Sequence, residues 1–236
     1  MPFVLVHGAF HGAWCWDRVR PFLERSGEQV FTPTLTVLGE RSDELSPDVA
    51  LSTHVQDVVR FLEAEDVGDA VLVGHSYAGM VIPGVAARVP QRVAQLVYLD
   101  AFVPKDGERC FDLMPAEAAD SIRKEAETEG EGWRFFPFPL EMLGIVNEDD
   151  ARWVEPRLGP QPLKTYDEPA HLDQGEWEQI PKTYVVCTDG AFRQVFEPFV
   201  QRARTERGWQ CIELPTGHDA MVTSPERLSE ILLELR

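Results

Sequence analysis

The sequence is poor in basic residues and has no long hydrophobic run. It contains 22 Lys and Arg against 40 Asp and Glu, which gives a formal net charge of -18 at pH 7. The phosphates of nucleic acids require a basic protein face, and anionic membranes attract one as well. No apolar run in the sequence reaches the length of a membrane span. We therefore expect neither a nucleic acid nor a membrane as partner.

Cysteine is also sparse. The four cysteines are widely scattered and form no C-x-x-C pair: Cys15, Cys110, Cys187 and Cys211. Such spacing supports neither a zinc site nor a disulfide framework. The first residues, MPFVLVHG, enter a strand pattern directly, without the basic region and long apolar segment of a secretory signal. We therefore expect buried free thiols, no bound metal and a cytoplasmic location.

What the sequence does contain is an alternation of strand and helix patterns. Of its 236 residues, 44% are hydrophobic and 26% charged, as in ordinary globular proteins. Short β-branched or apolar runs at 3–6, 29–32, 70–73, 93–100, 183–187 and 210–214 indicate strands, and amphipathic stretches between them indicate helices. This alternation predicts an α/β fold with a mostly parallel, doubly wound sheet.

One long segment interrupts the alternation. Residues 105–180 are rich in Pro, Glu and aromatic residues, with helical patterns near 115–129 and 148–155. The segment is too long to be a simple connection between two elements. We predict that residues 1–104 and 181–236 form the core domain. Residues 105–180 would form an inserted, mainly helical cap over the C-terminal edge of the sheet.

The stretch 70–80, AVLVGHSYAGM, carries the clearest functional pattern. A buried-strand run leads into Gly74-His75-Ser76-Tyr77-Ala78, and a helical pattern follows at once. This is the nucleophile elbow G-x-S-x-G with Ala78 in place of the second glycine. Small residues flank the serine because it sits in a strained turn between strand and helix. Ser76 is therefore the predicted nucleophile.

A serine nucleophile needs a general base and an acid that orients the base. In enzymes with this elbow the order along the chain is Ser…Asp…His, and His218 lies in a loop after the last predicted strand. Two carboxylates compete for the acid: Asp189 ends the strand after residues 105–180, and Asp100 ends the strand before them. The usual place of the acid favours Asp189, and Asp100 stays open as the alternative. Asp219 directly follows His218, so its side chain would have to turn back to reach the His218 ring, and this disfavours it as the acid.

The oxyanion hole and the pocket come from neighbouring loops. Backbone N–H groups suit an oxyanion hole because they are fixed before charge develops, and Tyr77 and Ala9 are the simplest donors. Phe10 and His11 of the first loop and Trp133 of the segment 105–180 are candidates for the substrate pocket. The alternative for the aromatic residues of that segment is plain packing against the sheet.

Three motifs together resemble one known family. HGAFHGAW at 7–14, GHSYAGM at 74–80 and TGHDAM at 216–221 are similar to the plant methyl esterase and hydroxynitrile lyase branch of the α/β-hydrolases, and more so to bacterial carboxylesterases of that branch. The resemblance covers roughly residues 2–104 and 181–236. It implies the α/β-hydrolase fold, ester chemistry without a cofactor and often a homodimer, with the oligomeric state left open.

The departures from this branch bear on the reaction. Hydroxynitrile lyases carry Thr after the first-loop His and Lys after the catalytic His, where this chain has Gly8 and Asp219. An aspartate there would oppose a departing cyanide, which disfavours lyase activity. The expected function is a serine carboxylesterase, possibly a methyl esterase, that cleaves a small apolar or aromatic ester. The alternatives are a tailoring lyase, epoxide-opening enzyme or cyclase of secondary metabolism, and a ligand sensor without activity.

Overall fold

The central sheet is parallel throughout. The computed structural model describes residues 1–173 and 175–236. In chain order, the strands within these residues are Phe3–Val6 (β1), Val30–Phe31 (β2), Ala70–His75 (β3), Val93–Leu99 (β4), Arg134–Phe135 (β5), Gln161–Pro162 (β6), Lys182–Cys187 (β7) and Trp209–Leu214 (β8). Six of them form one sheet in the order β2-β1-β3-β4-β7-β8, in which every neighbouring pair is parallel. The predicted parallel α/β architecture is confirmed.

Helices connect the strands and cover both faces of the sheet. Within the described residues they are Arg20–Arg25 (α1), Leu51–Ala64 (α2), Ala78–Arg88 (α3), Ala116–Thr128 (α4), Glu148–Val154 (α5), Lys164–Asp167 (α6), Arg193–Thr205 (α7), Ala220–Thr223 (α8) and Pro225–Glu234 (α9). None of these helices combines the length and the apolar composition that crossing a bilayer requires.

Strand alternation explains why both faces of the sheet are buried. Successive side chains of a strand point to opposite faces. In β1, Val4 and Val6 belong to the hydrophobic cluster on one face, and Phe3 and Leu5 belong to the cluster on the other. All four side chains are fully buried. A sheet covered on both faces needs continuous apolar strands, which is the pattern that the sequence shows.

Among the described residues between β4 and β7 lie three α-helices, α4 to α6, short 3-10 helices, and the small antiparallel pair of β5 and β6. Some of these residues share a cavity with residues at the C-terminal ends of β1, β3 and β8. A close approach joins the two parts, since a Cβ on Gly144 would lie 2.5 Å from the Cα of Gly217. The division of the chain at residues 104 and 181 stays a prediction.

Candidate active site

Ser76 lies in a sharp turn between β3 and α3. Its φ is +54°, in the left-handed region that side chains rarely adopt, and such strain is common at functional sites. The turn also requires small neighbours: a Cβ on Gly79 would lie 2.0 Å from the carbonyl oxygen of Phe102. These two constraints explain the G-x-S-x-A-G pattern of the sequence. They leave the side chain of Ser76 half-buried at the wall of a cavity.

The first loop, after β1, passes directly against this turn. A Cβ on Gly8 would lie 3.0 Å from the Cβ of Ser76 and 3.0 Å from Nδ1 of His75. Only a glycine therefore allows the loop to pass this close. The next residue, Ala9, is buried and lines the same cavity as Ser76. Within residues 1–173 and 175–236, the N–H groups of Ala9 and Tyr77 donate to no acceptor of the protein.

His218 lies on the loop between β8 and α8 and is 3% exposed. Its Nδ1 is 2.7 Å from Oδ2 of Asp100. Because a carboxylate can only accept, Nδ1 carries the proton and Nε2 of a neutral ring is an acceptor. Phe192 and Phe196 pack on the ring, with centroids 4.7 Å and 5.6 Å away. The imidazole is therefore fixed in orientation and shares the cavity with Ser76.

The structure places Asp100, and not Asp189, against His218. Asp100 is fully buried, and its Oδ1 accepts a hydrogen bond of 3.1 Å from the Cys187 N–H. Asp189 is exposed, and its carboxylate accepts a hydrogen bond from the neighbouring Thr188 hydroxyl. The backbone of this turn lies close to the site, but the Asp189 side chain points outward. The sequence preference for Asp189 thus differs from the observed contacts.

The cavity in front of Ser76 has a volume of about 300 Å³. Its lining is mostly apolar: Ala9, Phe10, His11, His75, Ser76, Phe102, Met114, Ala118, Ser121, Ile122, Phe138, Met142, Leu143, Tyr166, Ala191, Phe192, Val195, Phe196 and His218. Phe10 and His11, both pocket candidates from the sequence, line it. The third candidate, Trp133, is absent from the lining, and its ring centroid is 5.3 Å from the guanidinium carbon of Arg134.

The aromatic residues of the inserted segment divide between lining and packing. Phe138 lines the cavity, whereas Phe135 is fully buried and packs on Phe10 and Tyr166 at 5.4 Å and 4.9 Å. Sequence reasoning missed Phe192 and Phe196. Their spacing of four residues at the start of α7, just after the predicted strand 183–187, is a helix-face signal that could have found them.

A layer of buried polar groups borders the cavity, and His11, His75 and His218 belong to its lining. Nε2 of His11 is 3.0 Å from Oδ2 of Asp219, and Nε2 of His75 is 3.1 Å from the carbonyl oxygen of His218. Burial alone would lower the pKa of His11, but the charge of Asp219, the hydrogen bond to it and the bond to the Ala9 carbonyl raise it. Burial alone would raise the pKa of Asp219, but the charge of His11 and the hydrogen bond to it outweigh burial and lower this pKa. Each member of the pair thus favours the charged form of the other.

Three side chains of this layer have the spacing of a metal-binding group. One ligand atom each of His75, His218 and Asp219 lies within 4.8 Å of the others. The hydrogen bonds just described already involve these groups, since Nδ1 of His218 contacts Asp100 and Nε2 of His75 faces a carbonyl oxygen. Burial and the neighbouring His218 lower the pKa of His75 well below its usual value, which keeps it neutral. These three side chains are therefore part of a hydrogen-bonded network that fixes which ring nitrogens carry protons.

Comparison with known proteins identifies relatives over the full length of the chain. Residues 3–231 match the model of the alpha/beta hydrolase family. A carbendazim-hydrolyzing esterase of Nocardioides sp. (strain SG-4G) is 38% identical over 240 residues, which cover 99% of this chain and 98% of that protein. Salicylic acid-binding protein 2 of Nicotiana tabacum is 25% identical over 260 residues, which cover 99% and 96% of the two chains.

A solved structure supports the same relationship. An extracellular alpha/beta-hydrolase from a Paenibacillus species, described as sharing structural and functional homology with the tobacco salicylic acid-binding protein 2, superposes with a TM-score of 0.87. The two are 26% identical, and the match covers 99% of this chain and 98% of that one.

Proposed function

Because the chain belongs to the alpha/beta hydrolase family, we propose that it is a serine carboxylesterase acting on a small apolar or aromatic ester. Relatives that align over nearly its whole length carry the names of esterases and methylesterases. The chain is an enzyme of this ester-hydrolysing type. The proposal adds the reacting groups: Ser76 as nucleophile, His218 as general base and Asp100 as the acid behind it.

One contact carries the proposal. Oδ2 of Asp100 lies 2.7 Å from Nδ1 of His218, behind a ring whose other edge shares a cavity with Ser76. This arrangement fixes the tautomer that can take a proton from a serine hydroxyl, and a buried carboxylate stabilises the imidazolium that forms. Hydrogen bonds between nucleophile and base are often long without substrate and tighten in the complex.

The reaction follows from these positions. The Ser76 oxygen attacks the ester carbonyl carbon while its proton passes to Nε2 of His218. Negative charge develops on the former carbonyl oxygen, where the N–H groups of Ala9 and Tyr77 would donate. Collapse breaks the bond to the alcohol oxygen, which takes the proton from His218, and leaves Ser76 acylated. Water, activated by the same base, then releases the carboxylic acid. Every step uses protein groups and water alone.

The lining of the cavity supports an uncharged substrate. In the part of the chain that the structure describes, no Lys, Arg, Asp or Glu lines the cavity. Aromatic and aliphatic side chains would bury an apolar acyl or aryl group, and a volume of about 300 Å³ suits a small molecule. A simple alcohol such as methanol would be the leaving group. The proposal also includes a cytoplasmic enzyme with a cap at residues 105–180, and a homodimer as its form in solution.

Labelling with a fluorophosphonate tests the proposal directly. Such a probe phosphonylates only an activated serine, so intact-protein mass spectrometry should show one adduct, and peptide mapping should place it on Ser76. The Ser76→Ala variant is the control and should remain unlabelled and inactive towards p-nitrophenyl acetate. An unlabelled wild type, or a wild type labelled at another serine, would contradict the proposed nucleophile. Binding of an ester without turnover would instead indicate a ligand sensor.

A further inference from the structure

His11 and Asp219 form an ion pair that the proposed reaction does not use. The two residues are 208 positions apart, 2% and 0% exposed, and joined by the contact of 3.0 Å between Nε2 and Oδ2. Asp219 is absent from the lining of the cavity, so it does not touch a bound substrate. A buried carboxylate is costly unless it has a function or a well-placed partner.

Both nitrogens of the His11 ring are engaged. Nδ1 lies 2.7 Å from the carbonyl oxygen of Ala9, and a carbonyl only accepts, so this nitrogen carries a proton. Nε2 faces the carboxylate of Asp219. The ring therefore donates in two directions at once, as an imidazolium does. Among the described residues, no Lys or Arg forms an ion pair with Asp219. The protonated His11 ring is therefore the cation that Asp219 stabilises.

The first of these bonds fixes the oxyanion loop. His11 binds the carbonyl of Ala9, the residue whose N–H we assign to the oxyanion hole. Between them, Phe10 has a φ of +69°, a strained conformation that persists only where its surroundings enforce it. The bond from His11 back across Phe10 to Ala9 is one of the contacts that hold it, together with those of the Phe10 backbone to Gly159 and Gln161. The Ala9 carbonyl and the Ala9 N–H belong to successive peptide units joined at the Ala9 Cα, so the bond from His11 restrains the unit next to the one that carries the Ala9 N–H.

The second bond ties the same loop to the general base. Asp219 directly follows His218, and its own N–H donates to the carbonyl of Leu143 at 2.9 Å. The carboxylate of Asp219 therefore connects the backbone that carries His218 to the loop that carries Ala9. His75, next to the nucleophile, meets the same backbone through its bond of 3.1 Å to the His218 carbonyl.

We propose that His11 and Asp219 are a buried positioning pair that sets the distance between the oxyanion hole and the general base. The inference rests on the proposed serine esterase mechanism. Neither residue takes part in bond making. Their effect is on geometry, since a misplacement of about 1 Å in an active site can cost on the order of 100-fold in rate.

The Asp219→Asn variant tests this role. The amide has nearly the same shape but no charge, so His11 loses its counterion. We expect kcat for p-nitrophenyl acetate to fall by about 10- to 100-fold, as misplaced catalytic groups do, with KM nearly unchanged because Asp219 does not touch substrate. The matched control is Asp150→Asn, which breaks the ion pair of 2.6 Å with Arg18 outside the cavity and should keep kcat within about twofold.

A double variant separates a joint role from two independent ones. Residues that act as a unit are non-additive, so His11→Gln combined with Asp219→Asn should lose about as much kcat as either variant alone. Losses that multiply would contradict the proposal. So would an Asp219→Asn enzyme with the kcat of the wild type.

A spectrum of the wild type provides a test that needs no variant. In ¹⁵N-labelled protein titrated with pH, the His11 ring should keep its second proton to a higher pH than free histidine, which loses it near pH 6.5, because the Asp219 carboxylate favours the imidazolium. A His11 ring that loses this proton at or below the pH of free histidine would overturn the pair, even if the variants fail to fold. A wild type that is inactive and is not labelled by the fluorophosphonate would contradict the proposed function itself. A wild type that is active, with an Asp219→Asn variant that keeps full kcat, would contradict only the role of the pair.

Discussion

At the scale of single residues, the contact with His218 distinguishes Asp100 from Asp189. Asp100 is fully buried at the end of β4, and both of its oxygens are engaged, by the His218 ring and by the Cys187 N–H. Its φ of +43° aims the side chain back across the sheet edge. A buried carboxylate needs such partners to remain ionised. Asp189 has solvent and a threonine hydroxyl instead.

A pair of matched substitutions should separate the two carboxylates. Asp100→Asn is expected to lower kcat for p-nitrophenyl acetate by on the order of 1000- to 10,000-fold, because an amide no longer fixes the tautomer of His218 or stabilises its imidazolium. Asp189→Asn, the same chemical change on an exposed side chain, should stay within a few-fold of the wild type. Steady-state kinetics with circular dichroism as the folding check measures both. The opposite ranking would return the assignment to Asp189.

At the scale of elements, α4 and the start of α7 determine the shape of the cavity. Ala118, Ser121 and Ile122 lie on one face of α4 because residues three and four apart are neighbours on a helix. Phe192 and Phe196 line the cavity from the start of α7. Ala118 and Ser121 are exposed, which places them at the mouth of the cavity. The length of acyl chain that enters should therefore depend on α4.

An Ala118→Trp substitution should narrow the mouth selectively. We expect kcat/KM for p-nitrophenyl octanoate to fall by about tenfold or more, and that for the acetate to change little, because pocket size discriminates by about 1–3 kcal/mol for small differences in bulk. The control is Asp120→Trp, on the outer face of α4, where the side chain is 79% exposed. Equal losses for both esters, or for both variants, would show that α4 does not select acyl length.

At the scale of the whole molecule, several neutral histidines are buried in the fold. Burial lowers the pKa of His7 to about 3 and that of His54 to about 4, and that of His75 falls well below its usual value. In the unfolded chain all three titrate near pH 6.5. Their contribution to stability is therefore complete above pH 6.5 and is lost as the pH falls towards the folded values. His11 has the opposite sign, since its raised pKa favours folding below pH 6.5.

The free energy of unfolding should consequently fall on acidification. Each histidine with a lowered pKa adds a slope of about 1.4 kcal/mol per pH unit, so about 2 kcal/mol per residue is lost between pH 6.5 and pH 5. Urea denaturation across this range measures the loss. His54→Gln should reduce the slope of the unfolding free energy against pH by about 1.4 kcal/mol per pH unit, the contribution of one proton. The control His171→Gln, on an exposed side chain, should leave this slope unchanged. A flat profile would contradict the buried neutral state.

Local patterns in the sequence were sufficient for the fold and singled out two residues that line one cavity. The parallel sheet follows from apolar strands alternating with amphipathic helices, because this periodicity depends on near neighbours along the chain. The elbow follows from steric limits that a few adjacent residues express. The family resemblance drawn from three short motifs is confirmed by the match over residues 3–231. Ser76 and His218 both line the cavity on this scaffold.

Only the tertiary structure decided which distant side chains meet. Asp100 and His218 are 118 positions apart, and His11 and Asp219 are 208 apart. In the sheet, β4 lies between β3 and β7, so Asp100 ends the strand next to that of Ser76, and Asp189 ends one strand further away. Strand order and the direction of a side chain at a strand end depend on packing of the whole chain. The sequence position of Asp219 disfavours it as the acid that orients His218, but only the structure shows that its carboxylate contacts His11 of the first loop.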